Sequence, residues 1–329
     1  MSAAKHPVII KPIPSGGGIF RKKDEVKSKY FIDNLKDFQK IGKLGSGSYG
    51  TVYKIRNTKT EEILAAKVIR YHDGYGITVK REIDILIQIQ HPTIIELRGY
   101  SNKDFGENIQ KTIVMNYMSK GSLLNLIDDE DKGFCPDDYN NTKRQIILVG
   151  IARGMMILHE QNVIHRDLKP ENILLENDYS PRISDFGLSK FYDPKNSMDQ
   201  STNNVGTLAY AAPEILRGDS YNNKADVYSF GILMYEVLNS VRAYKDMSKN
   251  TTYISLSNNI ASGYRPKFNG YIKEGFKNLI EICWSQDFNE RPTFSEIFQK
   301  LSLLHDEKFV PYEKGKISDA DYMEAMQYC

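Results

Sequence analysis

Short apolar runs separated by turn residues dominate the first part of the chain, and this is the pattern of β-strands. The runs predict strands at 38–44, 51–56, 63–69, 94–100 and 111–116. A different pattern occupies 79–90, where Ile83, Leu86 and Ile87 recur at helical spacing and predict a helix. The hydrophobic pattern therefore predicts a small β-rich unit that contains one helix.

After residue 139 the pattern changes to long amphipathic stretches, as expected for helices packed on a core. Examples are 146–158, 227–238 and 276–283. No internal repeat or low-complexity tract interrupts them. The chain is therefore expected to have an α+β fold in which a small β-rich part precedes a larger, mainly helical part.

The two ends of the chain differ from this pattern. The first 37 residues combine Pro7, Pro12 and Pro14 with three consecutive glycines and a charged run. They predict a flexible N-terminal extension over 1–37. The stretch 305–329 is charged and weakly periodic, so it is interpreted as a tail or a partner-binding helix. One domain over 38–304 remains.

Composition excludes several classes of function. The 44 Lys and Arg against 42 Asp and Glu give a net charge of +2, so we expect no binding to nucleic acid or to an anionic membrane. The most apolar stretch, 230–238, is shorter than the roughly 18 residues of a membrane span. Cys135, Cys283 and Cys329 are few, odd in number and without zinc-site spacing, which indicates a reducing compartment and a cytoplasmic location.

Residues 45–50 read Gly-Ser-Gly-Ser-Tyr-Gly and fit the pattern G-x-G-x-x-G. Such glycines let backbone N–H groups approach phosphate oxygens. A dinucleotide-binding loop requires a helix after the last glycine, whereas here the strand-like residues 51–55 follow. The segment is therefore predicted to be a hairpin flap between two strands. Taken alone, it is more often an ordinary glycine-containing hairpin.

Charged residues in otherwise apolar surroundings follow the loop. Lys67 stands on the third predicted strand beside two alanines, and a buried lysine needs an anion, which Glu82 on the helix could supply. Two acids and an amide, Asp167, Asn172 and Asp185, then occur within a short stretch. Each of these residues alone could be a surface charge or a turn former.

In sequence order these motifs resemble the catalytic core of eukaryotic protein kinases, from about residue 38 to about residue 304. The series comprises the glycine loop with Val52, Ala65-Ala66-Lys67, Glu82, His165-Arg166-Asp167, Asp185-Phe186-Gly187, Ala212-Pro213-Glu214, Asp226 and Arg291. The resemblance implies a two-lobed protein-kinase-like fold. It places the N lobe at about 38–114, the hinge at about 115–120 and the C lobe at about 121–304.

The resemblance also implies roles in ATP- and Mg²⁺-dependent phosphoryl transfer. The catalytic set is Asp167 as proton acceptor, Lys169, Lys67, Glu82 and Thr207. Metal ligands are Asn172 and Asp185. The expected ATP-binding residues are Leu44, Gly45, Ser46, Gly47, Ser48, Tyr49, Gly50, Val52, Ala65, Lys67, Met115, Asn116, Tyr117, Met118 and Leu174. Met115 takes the gatekeeper position, and protein substrates and ATP are the expected partners.

Other residues resemble the structural framework of the family. His165 with Phe186, Leu86 and Leu97 looks like the apolar column that links the lobes, tethered by Asp226. His165 is thus interpreted as packing rather than as a base. Glu214 and Arg291 resemble the family's buried ion pair, which is a structural rather than a catalytic feature.

The acceptor class rests on mixed signals. Lys169 and Thr207 resemble the serine/threonine pattern, whereas the hinge and Cys283-Trp284 resemble tyrosine kinases. The mixture is similar to the tyrosine-kinase-like group of serine/threonine kinases. We therefore expect Ser/Thr acceptors. A tyrosine or dual-specificity kinase, and a pseudokinase scaffold that only binds partners, stay as alternatives.

The segment from Asp185 to Glu214 resembles an activation loop. It is rich in hydroxyl groups, and Ser197, Ser201 and Thr202 are the candidate phosphorylation sites, the last two favoured. Arg166, beside Asp167, is the cation that such a phosphate would pair with. The alternative is that these hydroxyls are merely solvated and that Arg166 meets a loop aspartate.

Overall fold

The computed structural model describes residues 27–47, 50–70, 75–191, 208–248, 252–269 and 272–304. Most of the predicted extension and the whole predicted tail lie outside these ranges. The sequence contains no indication of the oligomeric state.

The N lobe is a five-stranded antiparallel sheet with one helix. In chain order its elements are β1 (Phe38–Gly47), β2 (Gly50–Asn57), β3 (Ile63–Ile69), α1 (Tyr75–Gln88), β4 (Leu97–Ser101) and β5 (Thr112–Asn116). The strand order is β1-β2-β3-β5-β4. The first three strands form a meander, because β1 pairs with β2 and β2 with β3.

Several element boundaries differ from those predicted, including those of α1 and β4. Helix α1 begins at Tyr75 rather than at 79 and ends at Gln88. Strand β4 begins at Leu97 rather than at 94. The apolar run that was read as its start instead reaches the other lobe, where Ile94 forms a parallel bridge with Ile183. Periodicity detects such an apolar run but does not reveal which neighbour buries it.

The C lobe is mainly helical. Its helices are α2 (Leu123–Asp131), α3 (Asn141–Glu160), α4 (Pro213–Arg217), α5 (Lys224–Asn239), α6 (Lys245–Ser248), α7 (Tyr253–Ala261), α8 (Glu274–Cys283) and α9 (Phe294–Leu303). Short strands complete it: β6 (Gly121–Ser122), β7 (Val163–Ile164), β8 (Ile173–Leu175), β9 (Pro181–Ile183) and β10 (Lys190–Phe191). The α+β division into a small β-rich lobe and a larger helical lobe is confirmed.

Local sequence explains where several helices start and stop. Asn140 caps α3, since its side chain accepts a hydrogen bond from the Lys143 N–H at 3.1 Å. At the start of α9, Thr293 and Glu296 form a reciprocal capping box. Gly218 ends α4 with φ at +77°, a conformation that glycine adopts without strain.

A single hydrophobic core connects the lobes. It includes Val79 and Leu86 of α1, Met115 of β5 and Phe230 of α5. A smaller cluster lies on the other face of the N-lobe sheet: Leu35, Ile55, Leu64, Ala66 and Val114. Alternation along β3 separates the two, because Ala65 and Lys67 face the cleft while their neighbours face the smaller cluster.

The predicted flexible extension is wrong for its last residues. Residues 27–37 pack on the N lobe, where Leu35 is buried and the Ile32 N–H donates to the Tyr100 carbonyl at 2.8 Å. The composition of 1–37 as a whole is rich in proline, glycine and charge, and this average hid the apolar residues at its end.

Two further findings concern membrane-spanning helices and the cysteines. Among the residues that the structure describes, no helix is both long and apolar enough to cross a membrane. Cys135 is exposed and Cys283 is buried, and both are free thiols.

Candidate active site

Lys67 lies at the centre of the cleft face of the N lobe. Its Nζ donates to Glu82 Oε1 at 2.9 Å and to Asp185 Oδ1 at 2.8 Å, so one ammonium joins β3, α1 and the C lobe. Burial alone would lower the pKa of Lys67, but the two carboxylates outweigh it and raise that pKa. The lysine is therefore held fully charged.

The two carboxylates bound by Lys67 differ in their environment. Burial raises the pKa of Glu82, and Lys67 only partly opposes this effect. Burial also acts on Asp185, but there the charge of Lys67 prevails and lowers the pKa. Asp185 is consequently an ionised carboxylate at the mouth of the cleft, while Glu82 is a sealed partner that orients the lysine.

The backbone of Asp185 is unusual. Its φ is +61° and its ψ is +70°, in the left-handed region that costs a non-glycine residue about 1 kcal/mol or more. A Cβ at Gly187 would lie 3.3 Å from Asp185 Oδ1, so the glycine leaves room for that carboxylate. The turn thus directs Asp185 toward Lys67.

Asp167 lies across the cleft with two polar partners. Lys169 Nζ is 2.7 Å from Asp167 Oδ2, and Asn172 Nδ2 donates to the same oxygen at 3.0 Å. Asn172 also donates to the Asp167 carbonyl at 2.7 Å, and its own carbonyl accepts from the Ser184 N–H at 2.8 Å. These bonds fix the Asp167 loop to the strand end that leads to Asp185.

Asp226 holds the backbone of this loop from below. Its Oδ2 accepts from the His165 N–H and its Oδ1 from the Arg166 N–H, both at 2.8 Å. Arg166 has φ at +70°, so the carboxylate stabilises a strained conformation immediately before Asp167. His159 Nε2, 2.9 Å from Oδ2, is a third partner of Asp226.

His159 and Ser184 were not predicted from the sequence to support the site. His159 contacts the Asp226 carboxylate, and Ser184 contacts the backbone of Asn172. Each partner is remote in sequence, and no sequence spacing predicts these contacts. A histidine near the end of a long amphipathic helix gives only a weak signal, because it is equally common at a half-buried surface position.

His165 occupies a packing position, in agreement with the interpretation made from the sequence. Its ring is 5.2 Å from that of Phe186 at 61°, and Leu86 and Leu97 belong to the same buried core. Nδ1 accepts from the Asp167 N–H at 3.3 Å, so Nε2 must carry the proton that is donated to the Ser184 carbonyl at 3.1 Å. Both ring nitrogens are thereby engaged within the protein.

The residues expected to bind ATP line the cleft on both sides. Val52 pairs with Lys67 across β2 and β3, and Ala65 pairs with Met115 across β3 and β5. Leu174 lies on β8 of the C lobe and packs against the core. The structure thus brings the roof, back wall and floor of the expected pocket together.

The glycine loop and the hinge complete this lining. Leu44, Gly45, Ser46 and Gly47 end β1, whereas Ser48 and Tyr49 lie outside the described residues. Gly50 is required by the fold itself, because a Cβ there would be 2.2 Å from the Val68 carbonyl oxygen. At Gly45 and Gly47 a Cβ would meet nothing within 4 Å.

The hinge contains Asn116, Tyr117 and Met118. The Asn116 side chain donates to Glu96 Oε2 at 2.8 Å, which ties the hinge to the residue before β4. Lys54 lies 4.4 Å from the centre of the Tyr117 ring, and Met118 is buried. Met115, at the back of the cleft, is also buried.

The donor set at the mouth of the cleft fits a small hard cation. Lys67 occupies only Oδ1 of Asp185, and Asn172 uses its amide nitrogen toward Asp167. Asp185 Oδ2 and Asn172 Oδ1 have no partner among the described residues. Two such oxygens match Mg²⁺, which takes one or two protein ligands together with phosphates and water. Within the described ranges no group of three or more His, Cys, Asp or Glu residues forms a metal cluster.

Four expected site residues of the segment after Asp185 share the outcome of Ser48 and Tyr49. Thr207, Ser197, Ser201 and Thr202 lie outside the described residues. Ser189, at the beginning of the same segment, is fully buried and its hydroxyl donates to the His165 carbonyl at 3.1 Å.

The Glu214 and Arg291 pair is formed in the C lobe. Arg291 Nη1 donates to Glu214 Oε1 at 2.7 Å and Nη2 to Oε2 at 2.8 Å. The Arg291 guanidinium also lies 5.2 Å from the centre of the Tyr228 ring. This pair is remote from the cleft residues and belongs to the framework.

Comparison with known proteins gives consistent findings. The family model described as "Protein kinase domain" matches residues 38–301. The probable serine/threonine-protein kinase PBL7 of Arabidopsis thaliana is 32% identical over 301 residues, which cover 84% of this chain and 76% of that protein.

Two similar relatives are much longer. A probable serine/threonine-protein kinase of Dictyostelium discoideum is 32% identical over 282 residues, 84% of this chain and 20% of its own length. A putative serine/threonine-protein kinase/receptor of Acanthamoeba polyphaga mimivirus is 32% identical over 285 residues, 85% of this chain and 16% of its own length. The chain thus spans a fifth or less of these two relatives.

Proposed function

This chain belongs to the protein kinase domain family, and from that premise we propose that it transfers the γ-phosphoryl group of ATP to Ser or Thr hydroxyls of proteins in a Mg²⁺-dependent reaction. One observation carries the proposal. Lys67 joins Glu82 and Asp185 across the cleft, while Asp167 faces the same space with Lys169 and Asn172. These are the groups that phosphoryl transfer requires.

In the proposed reaction, the acceptor hydroxyl oxygen attacks the γ-phosphorus. Its proton passes to a carboxylate oxygen of Asp167, and the bond from phosphorus to the bridging oxygen breaks so that ADP leaves with the electron pair. Lys169, 2.7 Å from Asp167, steadies the transferred group. Lys67 holds the α- and β-phosphates, and Glu82 keeps Lys67 aimed.

Asp185 and Asn172 are the residues that would hold Mg²⁺, which neutralises phosphate charge when it is bound. The Lys67, Glu82 and Asp185 group carries one cation and two carboxylates, so its net charge of about −1 favours a further cation. The depressed pKa of Asp185 keeps that ligand ionised.

The proposed acceptor is Ser or Thr because Lys169 stands beside Asp167 and because the relatives quoted above are named serine/threonine kinases. Thr207 is proposed to bond with Asp167 and Lys169 in the substrate groove. Protein substrates and ATP are the proposed partners, with neither nucleic acid nor a membrane among them, and the location proposed from the cysteines is cytoplasmic.

The test is one incubation of the protein with labelled ATP, Mg²⁺ and a generic protein substrate, followed by phosphoamino-acid analysis. We expect labelled phosphoserine and phosphothreonine. Label on tyrosine alone would overturn the acceptor class. Absence of label, with a retained thermal shift by Mg²⁺ and ATP, would instead favour the pseudokinase scaffold; a ligand at about 100 times its Kd adds about 2.7 kcal/mol of stability.

Regulation by phosphorylation of the segment after Asp185 is also proposed, with Ser201 and Thr202 ahead of Ser197. Arg166 would bind the phosphate, since it is the cation immediately before Asp167. Its guanidinium lies 5.5 Å from the centre of the Tyr221 ring. Activity before and after phosphatase treatment tests this proposal. Full activity of a variant with alanine at all three positions would contradict it.

A further inference from the structure

Residues 27–35, called the strap below, cross the outer side of helix α1. Lys27 Nζ lies 2.6 Å from Asp84 Oδ1, and both side chains are less than one quarter exposed. Three residues later, the Tyr30 hydroxyl accepts a hydrogen bond from Gln90 Nε2, just beyond the end of α1. The strap therefore contacts α1 near its middle and again at its C-terminal end.

The strap also joins the sheet. The Ile32 N–H donates to the Tyr100 carbonyl of β4 at 2.8 Å. The rings of Phe31 and Tyr100 pack edge to face with centroids 5.6 Å apart, and the Tyr100 hydroxyl donates to the Lys27 carbonyl at 3.4 Å. One residue of β4 thus makes three contacts with the strap.

Two further features show that this contact is built into the fold. A Cβ at Gly99 would lie 2.4 Å from Ile32 Cδ1 and 3.1 Å from the Tyr30 carbonyl, so β4 has no side chain where the strap approaches most closely. At the strap's far end, Leu35 is buried in the smaller hydrophobic cluster. The strap is consequently anchored on α1, on β4 and on the second face of the sheet.

The position of the Lys27 contact on α1 is significant. Asp84 follows Glu82 by two residues, which is a rotation of about 200° around a helix with 3.6 residues per turn. Glu82 points to Lys67 in the cleft, and Asp84 points to Lys27 on the outer side. The strap and Lys67 therefore hold the same turn of helix from opposite sides.

The sequence of α1 makes such external support important. β-Branched residues, which are weak helix formers, occupy many of its positions, including Thr78, Val79, Ile83 and Ile85. In proteins a helix of this length draws most of its stability from packing. Its placement over the cleft then depends on its tertiary contacts, among which is the bond from Arg81 Nη1 to the Ser189 carbonyl at 3.2 Å.

We propose that Lys27 and Tyr30 are positioning residues of the phosphoryl-transfer reaction, because the strap keeps α1 where Glu82 can orient Lys67. The inference rests on the proposed kinase function for its kinetic consequence but not for its structural one. When the strap contact is lost, a larger fraction of molecules has Glu82 away from Lys67. ATP binds the remaining competent fraction, so its apparent affinity falls in proportion.

This account gives a characteristic split of kinetic constants. Saturating ATP draws the population back to the competent state, so kcat stays within about twofold while KM for ATP rises. For a single partly buried ion pair, we expect a rise of about fivefold. A residue that served only global stability would instead lower the amount of folded enzyme and leave KM unchanged.

The experiment is a charge exchange in the full chain. Lys27→Asp and Asp84→Lys are made singly and together, and KM for ATP, kcat and amide hydrogen exchange of α1 are measured. Each single variant is expected to raise KM for ATP and to speed exchange in α1. The double variant restores the ion pair with reversed polarity and should return both quantities to within about twofold of wild type.

Lys59→Asp is the matched control. Lys59 pairs with Asp37 at 2.7 Å, beyond the strap, and it makes the same change of charge without touching α1. Its KM for ATP and α1 exchange should equal those of wild type. If Lys27→Asp fails to fold, Tyr30→Phe removes only the acceptor of the Gln90 bond and should give a smaller shift in the same direction.

The proposal is overturned if Lys27→Asp changes neither KM nor exchange in α1, or if the double variant is as impaired as the worse single variant. Failure of the proposed function looks different. In that case no variant, wild type included, would transfer phosphate, and the exchange of α1 would still follow the charge exchange if the strap holds the helix.

Discussion

Two buried pairs of a carboxylate and a cation, one in each lobe, differ in how completely they are satisfied. In the C lobe, the side chains of Arg291 and Glu214 are 0% and 2% exposed, and Arg291 also donates to the Ser285 and Lys224 carbonyls. In the N lobe, Lys67 shares its single charge between Glu82 and a second acid, Asp185, whose side chain is 32% exposed.

This difference separates a structural pair from the pair that is proposed to act in phosphoryl transfer. The planar guanidinium of Arg291 forms two parallel hydrogen bonds with the Glu214 carboxylate, so the two charges balance each other. Lys67 is a point charge on a flexible stem, and its group holds one carboxylate more than it can neutralise. An unbalanced group at an open cleft can accept Mg²⁺ and phosphate, whereas a balanced and sealed one can only hold the lobe together.

Breaking the C-lobe pair should give the largest effect. Arg291→Met leaves Glu214 charged and buried, and we expect the free energy of unfolding to fall by about 3 to 5 kcal/mol. Urea denaturation measures it. Arg217→Met, at the exposed ion pair with Asp219, is the control and should change stability by less than about 1 kcal/mol. Equal denaturation midpoints for the two variants would contradict the structural role.

Breaking the N-lobe pair should act mainly on the reaction. Lys67→Met is expected to lower kcat/KM for ATP by about 10²- to 10³-fold, the magnitude typical for loss of one preorganised donor to a developing negative charge. Its stability should change less than that of Arg291→Met, because α1 can carry Glu82 toward water. Steady-state kinetics and denaturation of the same preparations test both statements, with exposed Lys43→Met as control. A larger loss of stability than of activity would reverse our assignment.

Weakening the contact that supports the Asp167 loop should have an intermediate effect on stability and on kcat. His159→Phe keeps the ring that packs 4.9 Å from Phe294 but removes the bond to buried Asp226. Loss of a hydrogen bond to a charged group should cost about 1.5 to 3 kcal/mol of stability and lower kcat, with KM for ATP unchanged. His159→Gln should recover part of the loss. If both variants match wild type in kcat, His159 has no part in holding the loop.

Glu236, a buried carboxyl that is hydrogen-bonded by a hydroxyl and a backbone N–H, sharpens the comparison further. Burial raises the pKa of Glu236 to about 8, although the Tyr210 hydroxyl and the Ala243 N–H donate to it. Between its ordinary value of 4.5 and about 8, the folded state therefore binds more protons than the unfolded state. Stability should fall as pH rises through this window, by at most about 1.4 kcal/mol per pH unit.

Glu236→Gln tests this pH dependence, because glutamine has no proton to lose. The slope of unfolding free energy against pH should become flatter between about pH 5 and pH 8. An unchanged slope would mean that Glu236 is already ionised in the folded protein at pH 5.

The charged groups of the cleft were easier to predict from the sequence than the groups that hold them in place. Lys67, Glu82, Asp167 and Asp185 carry side chains whose chemistry is unusual in an apolar context, so the residue type itself is the signal. The N-lobe strands were predictable because turn residues separate the short apolar runs.

Supporting contacts were harder to predict, since they depend on which distant neighbour is present. Ile94 was assigned to a strand although it bridges to Ile183. The strap was assigned to a flexible extension, because Tyr30, Phe31 and Leu35 follow a stretch rich in proline and glycine. Only the three-dimensional structure reveals that these residues reach β4 and α1.

The central claim is that the cleft residues divide into those that bind ATP and one that accepts the substrate proton. Its most direct test is Asp167→Asn, with phosphoryl transfer and the thermal shift by Mg²⁺ and ATP measured on one preparation. Asparagine can still meet Lys169 but cannot accept a proton, so transfer should fall by about 10²- to 10⁴-fold while the thermal shift equals that of wild type. Near wild-type transfer by this variant would contradict the account.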